Sequence, residues 1–384
     1  MKVLLTGGGS GGHITPLLAV AKELKLLNQD IVCLGVCESG CKFGYLYQKS
    51  ADIDRILQIS AGKFRRYSAD SLWQKLTDWR TNWLNFCDIF RTLVGFCQAL
   101  KLLRRERPDV ILIKGGFVSV PVGLASVVFG IPYITHDSDS VPGLANRLIS
   151  KWARINATGM PTELYSYPEA KKQYVGIPLS ADFVKVGKSE RERYRRELSI
   201  DRKARVVTVV GGSQGGVSLN SAIVSVAREL LTKYDNLHIV HIAGADNVAD
   251  TETAYSKAVG AEMAERVHVY GFVDDVYRLQ GAADVVIARA GATQTAELAV
   301  QGLPVILVPA NLAGGHQLKN ARYFESKGLA KVVASNDGEL IKIALIELLD
   351  KTDLARVMAD AFHDQSQADS ASVLAELVLT EAKK

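Results

Sequence analysis

The chain opens with Met1-Lys2-Val3-Leu4-Leu5-Thr6-Gly7-Gly8-Gly9-Ser10-Gly11-Gly12-His13-Ile14-Thr15-Pro16. A short apolar run comes first, then glycines, a serine and a histidine, and apolar residues with helical spacing follow. This order predicts a strand, a tight turn and a helix. Glycine permits a positive φ and lets backbone N–H groups approach a ligand, and the helix N-terminus adds its positive dipole end. The turn therefore suits a diphosphate or an anionic transition state, and His13 at the helix entrance is placed to accept a proton.

Two other interpretations of this turn are open. Gly7, Gly9 and Gly12 match the dinucleotide-binding pattern G-x-G-x-x-G. That pattern expects a carboxylate about 20 residues on, at the end of the second strand. Here the second strand is predicted at 31–36, and the nearest carboxylate, Glu38, comes late. The turn can also serve only the close packing of strand and helix, although it holds more glycine than packing alone requires.

Length and composition are those of an ordinary globular protein with more than one core. The chain has 384 residues, of which 48% are hydrophobic and 23% charged, so two domains are expected. Its five cysteines are an odd number, and glycines stand where a secretory leader has its apolar core, so we expect free thiols in a reducing compartment. Cys33, Cys37 and Cys41 lack a second cysteine or histidine cluster, and we expect no zinc site.

One uncharged segment, residues 115–135, has the length of a membrane span. Two prolines and several glycines interrupt it, and Gly130-Ile131-Pro132 marks a turn before a strand. We therefore predict a loop, a buried helix and a strand there rather than a transmembrane helix.

Apolar runs alternate with helical patterns along the chain. The predicted strands are residues 3–5, 31–36, 110–113, 133–135, 155–157, 206–210, 237–243, 267–270, 285–288 and 305–308. Their continuous Val/Ile character is typical of parallel strands buried on both faces. The pattern restarts near 176–187, and a second glycine turn follows a strand at 211–216. We predict an α/β protein of two doubly wound, Rossmann-like parallel-sheet domains, residues 1–178 and 179–351, with a last helix (about 352–384) packed back onto the first domain.

Residues 61–108 combine basic and aromatic side chains. They hold ten Lys/Arg against four acidic residues, a surplus of six that exceeds the formal +5 of the whole chain. The candidate acceptor- or membrane-binding residues are Lys63, Arg65, Arg66, Trp73, Trp79 and Trp83. Such a mixture suits an anionic membrane surface or a phosphate-bearing lipid. Aromatic residues buried in the core are an equally open explanation, and no nucleic-acid-binding motif accompanies the charge.

Two stretches in the second half carry candidate binding groups. Residues 288–299 follow a predicted strand and open a helix, and their small residues admit a second phosphate-bearing group. Glu297, about one turn into that helix, is placed to accept both hydroxyls of a ribose. A favourable interaction with the helix dipole is the alternative. Further on, His316 and Gln317 put two hydrogen-bonding side chains at the start of another helix, and capping alone would explain one of them.

Six motifs, in one order, resemble the signature of the MurG family of glycosyltransferases. They are residues 7–16, Gly62-Lys63-Phe64-Arg65-Arg66-Tyr67, Val141-Pro142-Gly143-Leu144-Ala145-Asn146, 211–216 with Asn220, 291–297, and His316-Gln317 with Asn320-Ala321. The resemblance implies the GT-B fold, in which two domains face each other across a cleft. It implies an inverting, metal-independent transfer of N-acetylglucosamine from UDP-N-acetylglucosamine (UDP-GlcNAc) to the C4 hydroxyl of the muramyl sugar of undecaprenyl-diphosphate-MurNAc-pentapeptide. This step of peptidoglycan synthesis turns lipid I into lipid II at the cytoplasmic face of the cell membrane, and the same resemblance implies peripheral attachment, no cofactor and no nucleic-acid partner.

The resemblance also implies a role for each matching residue. The catalytic residue is His13, beside the acceptor hydroxyl. Ser10, Gly11 and Gly12 line the first turn, over the acceptor diphosphate and as part of the donor site. The other implied donor-binding residues are Asp139 at the sugar, Ser180, Ser213, Gln214 and Gly215 at the UDP, Ala292, Thr293 and Gln294 at the phosphates, Glu297 at the ribose, and His316 and Gln317 at the sugar hydroxyls.

The chain departs from the family pattern near several of these positions. The family usually has His-Glu-Gln-Asn before Val-Pro-Gly-Leu, whereas this chain has His136-Asp137-Ser138-Asp139. An aspartate thus replaces the asparagine expected at the acetamido sugar. Ser180 follows a Gly-Ile-Pro-Leu run where the family has an arginine that contacts a phosphate or the uracil. Phe117 replaces a usual tyrosine, and Lys114 precedes the Gly115-Gly116 pair.

Three alternatives stay open for the whole chain. Asp137 and Asp139 spell the metal-binding D-x-D of the GT-A fold, although in a GT-B context we expect no metal. A different GT-B enzyme, such as a lipid or natural-product glycosyltransferase or a UDP-sugar 2-epimerase, would share the fold. A non-enzymatic subunit would bind the nucleotide through the same turns and leave the base idle.

Overall fold

The computed structural model describes residues 1–63, 78–212, 216–311 and 315–384. These residues form two compact units, Met1–Ala181 with Gln367–Lys384, and Asp182–Ser366. The change at Ala181 falls inside the stretch 176–187, where the sequence pattern restarts. Each unit is built on its own parallel β-sheet, so the predicted α/β fold class is confirmed.

The first unit contains a seven-stranded sheet in the order β3-β2-β1-β4-β5-β6-β7. Its strands are β1 (Lys2–Gly7), β2 (Val32–Glu38), β3 (Arg55–Ile59), β4 (Val110–Gly115), β5 (Tyr133–Asp137), β6 (Ile155–Thr158) and β7 (Lys172–Tyr174). Its helices are α1 (Gly11–Leu27), α2 (Gly44–Lys49), α3 (Trp79–Glu106), α4 (Ser119–Phe129), α5 (Leu144–Ile149) and, from the end of the chain, α14 (Ser370–Ala382), with short 3₁₀ turns at Ser150–Trp152, Thr162–Leu164 and Glu169–Lys171.

Helices cover both faces of this sheet. Val3 and Leu5 of the central strand β1 lie in one buried cluster with residues of α1 and α14. Leu4, which points the other way, lies in a second cluster with residues of α3 and α4. Because both faces are buried, the central strands need apolar side chains at every position, which explains their unbroken Val/Ile runs.

The second unit contains a six-stranded parallel sheet in the order β10-β9-β8-β11-β12-β13. Its strands are β8 (Arg205–Val210), β9 (Leu237–Ile242), β10 (Val267–Tyr270), β11 (Val285–Ala288), β12 (Val305–Leu307) and β13 (Lys331–Val332). Its helices are α6 (Lys188–Glu197), α7 (Val217–Lys233), α8 (Val248–Val259), α9 (Val276–Gly281), α10 (Ala292–Gln301), α11 (His316–Ser326), α12 (Gly338–Asp350) and α13 (Thr352–Asp364), with a 3₁₀ turn at Ala261–Arg266.

In each unit the strand order reverses beside the first strand. β1 pairs with β2 on one side and β4 on the other, and β8 pairs with β9 and β11 in the same way. Ligands of doubly wound sheets bind outside the carboxyl ends of the strands at such a reversal. Both predicted glycine turns follow these first strands, so each unit presents its turn at the favoured position.

The single helix expected over 352–384 is wrong. The chain forms two helices there, and a polar run from Asp364 to Asp369, without apolar residues at helical spacing, separates them. α13 packs against α10 and α12 in the second unit, whereas α14 packs against α1 and β4 in the first. Only the last part of the expected helix therefore returns to the first unit.

The uncharged segment 115–135 forms a loop, the helix α4 and the start of β5, as predicted. α4 has 11 residues and buries one side against the sheet. The described parts of the chain contain no helix with the length and apolar character of a membrane span.

Candidate active site

The first glycine turn joins β1 to α1 and is held by a carboxylate. The backbone N–H of Gly9 donates to Oε1 of Glu38 at 3.0 Å, at the carboxyl end of the neighbouring strand β2. Gly9 has a φ of +81°, and a Cβ on Gly8 would lie 2.0 Å from Oε2 of Glu38. Some of these glycines are thus required for packing, and the carboxylate of Glu38 binds the backbone of the first glycine turn. Ser10, Gly11 and Gly12 stay partly exposed, as a ligand-binding turn requires.

His13 lies in the first turn of α1 with a defined tautomer. Its Nδ1 is 2.6 Å from the carbonyl oxygen of Gly8. A carbonyl only accepts, so Nδ1 carries the proton and Nε2 keeps its lone pair. Desolvation lowers the pKa of His13, the charge of Lys114 lowers it further, and the carboxylates of Asp139 and Glu38 oppose the shift. The imidazole is therefore neutral at physiological pH, with Nε2 available as a base.

Gly115, at the end of β4, lies beside Nε2 of His13. A Cβ on Gly115 would lie 3.8 Å from Nε2 of His13, and the φ of +115° at Gly115 disfavours any other residue. The carboxyl ends of β1 and β4 therefore meet at the base.

The carboxylate of Asp137 accepts hydrogen bonds through both of its oxygens. Its Oδ1 accepts from the N–H of Gly143 and from Nδ2 of Asn146, both at 3.0 Å, and its Oδ2 accepts from the hydroxyl of Tyr167 at 2.7 Å. Burial raises the pKa of Asp137. The motif that contains Gly143 and Asn146 thus holds the end of β5, and both carboxylate oxygens are used for this purpose. Within the described residues no group of three or more His, Cys, Asp or Glu side chains is arranged to hold a metal ion.

The first unit contains two further residues that were predicted to bind the donor, Asp139 and Ser180. Asp139 follows β5 by two residues and is partly exposed, and its backbone oxygen accepts from the hydroxyl of Tyr165 at 2.8 Å. The negative charge of Asp139 acts to raise the pKa of His13. Ser180 is exposed and lies two residues before the second unit begins.

The second glycine turn follows β8. The predicted residues Ser213, Gln214 and Gly215 lie outside the described residues. The two ends of the turn are tightly opposed, because a Cβ on Gly211 would lie 2.6 Å from the nitrogen of Gly216. Asn220, in the first turn of α7, is buried and bonds the carbonyl of Ala243 at 3.0 Å. This part of the turn is therefore built on glycine at both ends and anchored to the strand β9.

Ala292, Thr293, Gln294 and Glu297 all lie on α10, which begins directly after β11. Ala292 is buried, and the other three are partly exposed. Glu297 lies beyond the first helical turn, where the influence of the helix dipole has declined, so the dipole explanation for this carboxylate loses its basis. Burial raises the pKa of Glu297 to about 7, and the neighbouring side-chain amide of Gln280 opposes this shift. A carboxylate retained in such a place is a candidate for ligand binding.

His316 and Gln317 open α11. Gly315 occupies the N-cap position with a φ of +60°, so neither side chain is the cap. Oε1 of Gln317 accepts from the N–H of Ala310 at 2.8 Å, and its Nε2 lies 3.9 Å from the position of a Cβ on Gly291. Gln317 is thus fixed beside the N-terminus of α10, and His316 is partly exposed next to it.

Two residues beside these groups, Arg289 and Gln280, were not predicted from the sequence. Arg289 is buried, and its guanidinium donates to the carbonyl of Val308 at 3.1 Å, to Asn336 at 2.7 Å and to Ser218 at 3.0 Å. It brings a positive charge to the carboxyl end of β11. Gln280 is fully buried beside Glu297. Each had a signal in the sequence. Arg289 stands immediately after an apolar run, and Gln280 stands inside one.

The basic and aromatic segment is exposed where it is described. Trp79 is 77% and Trp83 60% exposed on α3, so the explanation that these two tryptophans belong to the core is wrong. Phe86 and Phe90 are also exposed and form a connected row with Trp83, whereas Phe96 packs against the core of the first unit. Lys63 is exposed at the start of the segment, and Arg65, Arg66 and Trp73 lie outside the described residues.

Comparison with known proteins agrees with this architecture. Residues 3–157 match the glycosyltransferase family 28 N-terminal domain, and residues 206–376 match the C-terminal domain of that family. The fold also resembles the crystal structure of MurG from Acinetobacter baumannii (TM-score 0.72, 24% identity, 99% of both chains). It resembles UDP-GlcNAc 2-epimerase from Neisseria meningitidis bound to UDP-GlcNAc as well (TM-score 0.67, 14% identity, 99% of this chain and 100% of that one).

Two parallel-sheet units, each with a glycine turn at its strand-order reversal, together with these matches define a glycosyltransferase of the GT-B class. The UDP-N-acetylglucosamine–N-acetylmuramyl-(pentapeptide) pyrophosphoryl-undecaprenol N-acetylglucosamine transferase of Geobacillus kaustophilus is 35% identical over 359 residues, 92% of this chain and 91% of the relative. The protein of the same name from Clostridium kluyveri is 32% identical over 92% of both chains. The chain belongs to the MurG family, and the predicted family, fold and enzyme class are confirmed.

Proposed function

We propose that this enzyme transfers N-acetylglucosamine from UDP-GlcNAc to the C4 hydroxyl of the muramyl sugar on undecaprenyl-diphosphate-MurNAc-pentapeptide, with inversion at the anomeric carbon. The relatives that share about nine-tenths of its length carry the name of this reaction. The observation that carries the proposal is the neutral imidazole of His13, whose Nδ1 is tied to Gly8 and whose Nε2 is left as a base beside a glycine turn.

The acceptor side of the reaction belongs to the first unit. The C4 oxygen of the acceptor attacks the anomeric carbon of the donor, and Nε2 of His13 takes the hydroxyl proton. The bond from the anomeric carbon to UDP breaks, and its electron pair leaves with the diphosphate. Attack from the side opposite the leaving group inverts the anomeric configuration, and one base is sufficient for this single displacement.

The donor side belongs to the second unit. The carboxylate of Glu297 accepts hydrogen bonds from the two ribose hydroxyls. The N–H groups at the start of α10, from Ala292 to Gln294, bind the phosphates. Ser213, Gln214 and Gly215 bind the UDP. His316 and Gln317 bind the sugar hydroxyls. Helix N-termini in a water-poor site stabilise the charge that develops on the leaving diphosphate, so no metal is required for that purpose.

Transfer of labelled sugar into a lipid extract tests this proposal. With UDP-[¹⁴C]GlcNAc and a lipid-linked muramyl acceptor, we expect label in the organic phase at the same rate with EDTA as without it. Helix ends and loop amides carry the leaving charge, so chelation removes nothing essential. Loss of transfer in EDTA that Mg²⁺ or Mn²⁺ restores would contradict the metal-independent mechanism. No label in the lipid phase under any condition would contradict the proposed acceptor.

We further propose that α3 binds the anionic membrane surface that carries the acceptor, which would make the enzyme peripheral to the cytoplasmic face of the membrane. Trp79, Trp83, Phe86 and Phe90 are more than half exposed on one helix. Basic residues accompany them in the same segment, where the surplus of positive charge is six. Aromatic insertion and attraction to anionic lipids act together in such interfacial helices. We propose no nucleic-acid partner.

Replacing Trp79 and Trp83 by serine should weaken binding to anionic vesicles at least about tenfold, because two indoles lose their place in the interface. Sedimentation with phosphatidylglycerol vesicles measures this. Added salt should weaken but not abolish wild-type binding, since it screens charges beyond about 8 Å at physiological strength and leaves apolar insertion intact.

Phe272, an exposed aromatic residue of the second unit, supplies the control. Phe272→Ser should bind vesicles like the wild type. Equal binding of the wild type to neutral and anionic vesicles, or equal losses in both variants, would contradict a membrane-binding face on α3.

A further inference from the structure

Lys114 is the extra residue of a β-bulge at the edge that carries the active site. In the pairing of β1 with β4, Thr6 opposes Ile113 and Gly7 opposes Gly115, so Lys114 has no partner in the ladder. A bulge redirects the side chain it contains. The Lys114 side chain is buried, with 3% exposure, although lysine is almost never buried without a counter-charge.

Charged and polar groups lie around the ammonium group of Lys114. Nζ donates a hydrogen bond to the hydroxyl of Ser138, directly after β5. Desolvation lowers the pKa of Lys114 to about 8, and the carboxylates of Asp137 and Asp139 oppose the shift. Lys114 is thus still mainly an ammonium at neutral pH. Its charge also reaches the imidazoles of His13 and His136.

Two of these neighbours have partners of their own. Asp137 accepts three hydrogen bonds from neutral donors. His136 bonds the carbonyl of Gly176 through Nε2 at 2.8 Å, and burial keeps its pKa well below the ordinary value, so it stays neutral. Lys114 also acts electrostatically on Asp139 and on the proposed base, His13.

Three charged groups from three elements act electrostatically on His13. They are Lys114 from β4, Asp139 from the loop after β5, and Glu38 from the end of β2. Glu38 is fixed by the N–H of Gly9, whereas Lys114 and Asp139 are both positions at which the chain departs from the family pattern. Asp139 alone would add a second negative charge that favours the protonated imidazolium. The ammonium of Lys114 offsets it.

We propose that Lys114 and Asp139 form a compensating charge pair, and that Lys114 is a positioning residue that holds His13 in its neutral, proton-accepting form. The pair lets this chain carry an aspartate beside the sugar site without protonating the base. This inference rests on the proposed role of His13 in transfer, but the charge pair itself can be tested without any substrate.

The titration of His13 in the intact chain is the direct test. Histidine ring signals are followed by NMR in ¹³C-histidine-labelled protein, and the spectrum of His13→Gln identifies the signal of His13 among seven histidines. Lys114→Met should move the titration midpoint up by roughly one pH unit, because the ammonium then no longer offsets the carboxylates of Asp139 and Glu38 and burial alone opposes them. Asp139→Asn should move it down, and the double variant Lys114→Met/Asp139→Asn should return towards the wild-type midpoint.

Lys172→Met is the matched control, because Lys172 is a second nearly buried lysine of the same sheet, with its ammonium on Glu169. It should leave the midpoint of His13 unchanged. The same midpoint in the wild type and both single variants, or a double variant no closer to the wild type than Lys114→Met, would overturn the proposal. If Lys114→Met does not fold, Lys114→Gln, which removes the charge and keeps a polar group near Ser138, takes its place in the same comparison.

Transfer kinetics separate this inference from the proposed function. The acidic limb of the pH profile of kcat/KM should move with the NMR midpoint in each variant, which a purely structural lysine would not cause. A wild-type enzyme that transfers no sugar would contradict the proposed function while the NMR shifts still establish the charge pair. Active variants with unshifted limbs and midpoints would contradict the charge pair alone.

Discussion

Replacing His13 by alanine is expected to lower kcat for sugar transfer at least about 100-fold, because the acceptor hydroxyl loses its base. The fold of the first unit should survive. The shape of the turn depends on its glycines and on the bond from Gly9 to Glu38, and the substitution removes one hydrogen bond, to Gly8, worth on the order of 1 kcal/mol. Initial rates of transfer and a thermal melt of the same preparation measure both effects.

His363→Ala is a suitable control for this substitution. His363 also bonds main-chain carbonyls through Nδ1, at 3.0 Å from the oxygen of Val300, but it lies in the second unit on α13. We expect it to keep near-wild-type turnover. A His13→Ala enzyme that turns over as fast as the wild type would place the base elsewhere.

Replacing Glu297 by glutamine should raise the KM for UDP-GlcNAc at least about tenfold, with little change in thermal stability. Hydrogen bonds to a charged acceptor are stronger than those to a neutral one, and both ribose hydroxyls lose the carboxylate. Glu339→Gln, in the first turn of α12, makes the same change at an exposed helix start and should leave KM unchanged. An unchanged KM in Glu297→Gln would contradict the proposed contact between Glu297 and the ribose.

The same carboxylate predicts a pH dependence of donor binding. Burial raises the pKa of Glu297 to about 7, so its ionised fraction falls as the pH drops through neutrality. The ionised form accepts the ribose hydroxyls, and affinity for UDP-GlcNAc should therefore approach its full value well above pH 7 and decline as the pH falls through 7. Calorimetric titrations between pH 6 and 8 measure this for the intact enzyme. In Glu297→Gln the dependence should be absent, and a wild-type affinity that rises on acidification would contradict the ionised clamp.

The central strands and glycine turns could be predicted because their signals are local. A strand buried on both faces needs an unbroken apolar run, and a turn that approaches a ligand needs glycine. The strands that sequence analysis missed, β3, β7 and β13, are all edge strands. Their side chains are mostly exposed or partly exposed, so their short sequences include polar residues and resemble loops.

The functional surroundings of the site were harder to predict because they depend on strand register. Lys114 enters the site only because a bulge forms between β1 and β4, and Glu38 holds the first turn only because β2 ends beside it. Neither relation is visible in spacing along the chain. The division of the last segment into α13 and α14 had a local signal, the polar run from Asp364 to Asp369, which was too short to outweigh the helical pattern on either side.

The linkage of the sugar in the isolated lipid product distinguishes inverting transfer to the lipid acceptor from the other reactions of this fold. We expect N-acetylglucosamine joined β to the C4 oxygen of the muramyl sugar, with one UDP released for each sugar transferred, as determined by NMR and mass spectrometry of the product. A single displacement by an oxygen that His13 deprotonates gives only this inverted configuration. An α-linked product, or a UDP-sugar converted to its C2 epimer with no lipid product, would contradict it.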